Sequence, residues 1–102
     1  MRLEYSIDLS KIEVPRFSVE AQEGIGKIFT LATLVLNVLD EKESVEVVFH
    51  GLNPEDPERK ITAFREILAS AAPEHPVEAE TRKSGRVAGS SSYYQWLVLT
   101  RG

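Results

Sequence analysis

The residues best suited to chemistry lie late in the chain, where Arg82, Lys83 and Arg86 stand beside Gly85, Gly89 and Ser90 to Ser92. Tyr93, Tyr94 and Trp96 follow directly. Cations on a flexible arm neutralise phosphates, and aromatic faces beside them stack on bases. The rest of the chain works against such a role. With 12 basic and 16 acidic residues the formal net charge is −4, a field that does not draw nucleic acid over long range. A nucleic-acid function therefore has to rest on this local basic patch. The competing reading is a solvated turn, with the aromatic rings belonging to the core.

Other chemistry is sparse. The chain has no cysteine, which excludes disulfides, thiolate metal sites and thiol catalysis. His50 precedes Gly51 at the end of an alternating run, a place where an α/β sheet can present a functional group. It has no identifiable partner, and a structural histidine is the alternative. His75 lies between Pro73 and Pro76 in a connecting loop, and two histidines so far apart make no metal motif. Gly24-Ile25-Gly26-Lys27 resembles a phosphate loop only in part. The full pattern needs Gly at position 21 and Ser or Thr at position 28, where Ala21 and Ile28 stand. No catalytic constellation emerges, so we expect a protein that is not an enzyme and uses no cofactor.

The elements that must position these residues can be read from hydrophobic spacing. Arg2 to Leu9 alternates, with Leu3, Tyr5, Ile7 and Leu9 on one face, which predicts a half-buried strand. From an N-cap at Ser18, the apolar residues Ala21, Ile25, Ile28, Phe29, Ala32, Val35, Leu36 and Leu39 recur at helical spacing. Gly24 and Gly26 oppose a helix there, and the rival is a hairpin turning at Glu23 to Gly26. Val45 to His50 reads as a second strand. Asp56 is placed to cap a helix with Pro57 at its first position, and Ile61, Phe64, Ile67, Leu68 and Ala71 form its buried stripe. Val77 to Arg86 and Ser92 to Arg101 read as two strands joined by a Gly/Ser-rich loop. The prediction is a single α/β domain over residues 1–102, an α+β two-layer sandwich of order βαβαββ. Its sheet has four strands in a mixed arrangement, with both helices on one face.

This element order, with a long hairpin between the last two strands, resembles the Alba family of chromatin and RNA-binding proteins. It is similar also to the C-terminal domain of translation initiation factor three and to the small sulfur-carrier proteins of that fold. The likeness covers nearly the whole chain and lies in element order and length. It implies a two-layer sandwich, often dimeric, that grips nucleic acid with the hairpin arm and with surfaces near the first helix. Carried over residue by residue, it assigns Arg82, Lys83 and Arg86 to the arm and Arg16 and Lys27 to the flanks of the first helix. The chain has Pro15-Arg16-Phe17-Ser18 where paired lysines would be expected, and it lacks the cysteine a sulfur carrier needs.

Two further surfaces follow from the pattern. Glu4, Asp8, Glu46, Glu78 and Glu80 fall on one side of the sheet, an open face that would repel phosphates and either receives a basic protein partner or simply stays in water. Leu31, Leu34 and Val38 widen the apolar surface of the first helix beyond one stripe, as in a subunit interface or in a central helix wrapped by both the sheet and the second helix. A homodimeric protein-interaction module is therefore the alternative to a nucleic-acid binder. With no apolar leader and no run able to span a bilayer, the expected location is the cytoplasm.

Overall fold

A computed structural model of the chain describes residues 2–7, 13–73, 76–89 and 91–101, with side chains from Val14 onward. Asp8, Leu9, His75 and Ser90 lie outside the described residues, as does the side chain of Glu4. The elements are β1 (Arg2–Ile7), β2 (Glu13–Val19), α1 (Ile25–Leu39), β3 (Ser44–Gly51), α2 (Glu55–Ala71), β4 (Val77–Arg86) and β5 (Tyr93–Arg101). One sheet contains all five strands in the order β1-β2-β3-β5-β4. β2 and β3 are parallel and every other neighbouring pair is antiparallel. The two helices pack against each other and against this sheet, giving the expected two-layer α/β sandwich.

From β2 onward the order is βαβαββ, with four strands in a mixed sheet and α1 as the crossover between its parallel pair. The strand that leads into the first helix is therefore β2 and not the Arg2 strand. β1 is an additional edge strand that pairs only with β2, with Leu3 opposite Phe17 and Tyr5 opposite Pro15. Pro15 hides β2 from a propensity reading, because proline cannot donate to a ladder. It is tolerated here because the β2–β3 register begins one residue later, at Arg16 opposite Glu46.

Ser18 is consequently not a helix cap but a buried strand residue. The chain turns through Glu20 to Glu23, where the Glu20 amide donates to Glu23 Oε1 at 2.9 Å. Gly24, in extended conformation, is the residue before α1. The helix then buries Ile28, Leu31, Ala32, Val35 and Leu39 at i, i+3, i+4 spacing against the sheet. Asp56, expected as the cap of α2, lies inside its first turn. The side chain of Asn53 accepts the Asp56 amide at 2.9 Å, and Glu55, Asp56 and Glu58 complement the helix dipole.

The core lies between the layers. Val45, Val47 and Phe49 of β3 are fully buried, as are Val19, Leu31, Val35, Phe64 and Leu99. The Phe49 and Phe64 rings meet at 5.3 Å with a 56° tilt. At the end of β3 the first turn of α2 comes so close that only glycine fits. A Cβ on Gly51 would stand 2.5 Å from the Asp56 Cβ and 2.7 Å from the Pro57 ring. Strand end and helix start are thereby locked together.

Candidate functional site

β4 and β5 form a long antiparallel hairpin whose tip is closed by the Val87 amide donating to the Ser92 carbonyl at 2.8 Å. Gly89 sits at that tip with φ +74°, the left-handed region that side chains avoid. Every residue of β4 from Glu80 to Arg86 is exposed, because β4 is the outer strand of the sheet; this half of the hairpin forms the arm, and its partner β5 stays paired with β3 as far as Tyr93 opposite Gly51. Lys83 and Arg86 are on the arm. Tyr93 and Tyr94, opposite Arg86 and Gly85, are half-buried next to its tip.

Arg82 is not at the tip. The register slips between Thr81 and Lys83, a β-bulge that re-aims the intervening side chain. Its guanidinium lies 5.0 Å from the centre of the Trp96 ring and donates to Glu46 Oε2 at 2.6 Å. Arg16, on β2, reaches the same ring from another strand, at 5.2 Å. Glu46, although on the side of the sheet away from the helices, is only 3% exposed. The expected acidic surface is thus partly cancelled, since Glu46 lies beneath an arginine while Glu78 and Glu80 stay exposed. The Trp96 indole Nε1 is buried with no hydrogen-bond partner.

Register sorts the open face into two ends. At one end Glu78 pairs with Thr100 and Glu80 with Val98. At the other, Val48 pairs with Trp96, His50 with Tyr94 and Gly85 with Tyr94. Because Phe49 faces the helices, His50 and Tyr94 face away from them. Sequence order alone could not show that Tyr94, Trp96, His50, Arg16 and Arg82 share one surface, because they come from four strands.

The remaining candidates sit apart. Lys27 is exposed in the first turn of α1, at the same end of the sheet as the arm but in the helix layer. Leu31 is fully buried in the core and Val38 packs half-buried against it, leaving Leu34 as the exposed member of that group. The exposed apolar surface of the helices is centred elsewhere, on Ile25 and Phe29. Phe29 borders a groove of about 380 Å³ with Ile67 and Ala71 of α2.

Lys60 escaped the sequence reading. Its ammonium group is buried and donates to the carbonyls of His50 at 2.7 Å, Ala21 at 2.9 Å and Glu20 at 3.1 Å, with Asp56 Oδ2 at 3.6 Å. It ties the ends of the parallel strands to α2, where folds of this class often hold a ligand. The detectable signal was a lysine on the apolar stripe of Pro57, Ile61, Phe64 and Leu68.

Among the described residues no group of three or more His, Cys, Asp or Glu could hold a metal ion, and no helix is long and apolar enough to cross a membrane. Compared with known proteins, the sequence matches no protein-family model and no curated protein.

Proposed function

We propose that this protein binds nucleic acid through the β4–β5 arm and the adjoining end of the open sheet face. The observation that carries this is the segregation of that face. Lys83 is exposed on the open face opposite the arginine-capped Trp96 and next to Tyr94, and Arg86 is exposed at the end of the same strand, on the other side of the sheet with Tyr93, while Glu80 and then Glu78 lie farther from the tip. A basic and aromatic end on an acidic molecule suits binding by a few phosphate contacts with stacking. The βαβαββ core with a long hairpin between its last two strands adds the Alba-like comparison as support from the fold alone.

Lys83 and Arg86, the exposed cations nearest the hairpin tip, are the residues to change. In a titration against short RNA and DNA at two salt concentrations, affinity should fall with salt. The Lys83→Ala, Arg86→Ala double variant should flatten the log–log slope by about 1.4 on single strands or about 1.8 on duplex DNA, roughly 0.7 or 0.9 per lost contact. An unchanged slope in that variant would remove the arm from the function.

The exposed Phe29 and its groove with Ile67 and Ala71 favour a second reading, a protein-interaction module that operates as a homodimer. Under it the double variant leaves the function intact, and Phe29→Ser changes the mass measured in concentrated solution.

A further inference from the structure

We infer that the arm end of the open face is a stacking platform for single-stranded nucleic acid, with Tyr94 as its central ring. This rests on the nucleic-acid reading above and narrows it to one class of ligand. β5 lies between β3 and β4, so Tyr94 and Trp96 stand in the interior of the face and not at its rim. They are two residues apart on one strand, about 7 Å, which gives each ring its own place on the surface.

The neighbours of the two rings differ. Trp96 carries the guanidinium groups of Arg16 and Arg82, whose planes are themselves surfaces on which bases stack. Tyr94 is flanked by the His50 imidazole on β3 and by Gly85 on β4. Gly85 has no side chain to cover the ring; the position its Cβ would take is 3.9 Å from both Tyr94 Cε1 and Oη. The edge of the half-buried Tyr94 ring thus meets no side chain from position 85, and Lys83, two residues along β4 on the same face, supplies positive charge.

Unpaired bases fit this arrangement and paired ones do not. A base inside a duplex presents its edges, and its faces are already stacked on its neighbours. A duplex lying across the face would also carry its phosphates over Glu78 and Glu80. A short single strand can run from the hairpin tip over Tyr94 towards Trp96 and end before the row that holds Glu46 and Glu80.

Trp96 is the sole tryptophan, so its fluorescence reports binding without a label. The probes are short single-stranded RNA, single-stranded DNA of the same sequence, and the matching duplexes. We expect both single strands to bind at least tenfold more tightly than the duplexes. Tyr94→Leu should weaken single-strand binding about tenfold, the effect of losing one stacked base, while Tyr94→Phe binds like the wild type. A thermal melt confirms that both variants are folded. Equal affinity for duplex and single strand, or full binding by folded Tyr94→Leu, would overturn the platform. If Lys83→Ala, Arg86→Ala loses binding while Tyr94→Leu keeps it, the arm stands and the platform falls. Absence of binding by the wild-type protein to every probe removes both.

Discussion

The two faces of the sheet use the same strand for opposite purposes. Along β3, Val45, Val47 and Phe49 are fully buried under the helices, whereas Glu46, Val48 and His50 look the other way. On the covered face contact is close and apolar, to the point that Gly51 admits no side chain. The open face is built from long polar side chains lying flat, with Arg16 and Arg82 on Trp96 and Glu46 beneath. The lesson is one of division: the covered face should set stability, and the open face should set what the molecule binds.

Four variants test that division, in descending order of expected effect on stability. Phe49→Ala removes a ring packed on Phe64 and should cost about 3–5 kcal/mol, read as a shift in the urea midpoint. Lys60→Met keeps the side-chain length but leaves three carbonyls without their donor, with an expected loss of about 2 kcal/mol in the same assay. Arg82→Ala should cost about 1–2 kcal/mol, because its own side chain is 56% exposed but the Glu46 carboxylate it leaves is buried. It should also alter Trp96 emission, since a cation leaves the indole. The Lys83→Ala, Arg86→Ala pair should stay within about 0.5 kcal/mol of wild type while nucleic-acid binding falls. A double variant that destabilised as much as Lys60→Met would end the separation of the two faces.

Most of the element pattern was legible from residue spacing. The α2 stripe of Ile61, Phe64 and Leu68, the alternation of β3 and the β-prone run from Tyr93 all correspond to elements of the fold. β2 was not legible, because Pro15 argued against a strand and Ser18 has the chemistry of a cap. Spacing showed the helical face from Ile28 to Leu39 but could not place its start, which depends on Gly24 following a turn. The candidate site was legible in composition and not in geometry. Lys83, Arg86 and Tyr94 are neighbours in sequence, but the bulge at Arg82 and the meeting of Arg16 with Trp96 depend on strand register. Lys60 was obscured by its charge, which suggests solvent unless three carbonyls from other segments are known to converge on it.

That convergence has a consequence for the order of folding. The Lys60 ammonium joins residues 39 and 40 positions away in sequence to one only 10 positions away. The contact to His50 can form within the β3–α2 unit alone. The contacts to Glu20 and Ala21 require the whole crossover through α1 to have closed, with the entropy that closing so long a loop costs. The cluster should therefore complete after the transition state, at low φ-value. In a chevron measurement Lys60→Met would then steepen the loss of the native state by accelerating unfolding, with the folding arm almost unchanged. A lysine invisible to the sequence pattern would in that case act as the late fastener that sets how long the folded molecule persists.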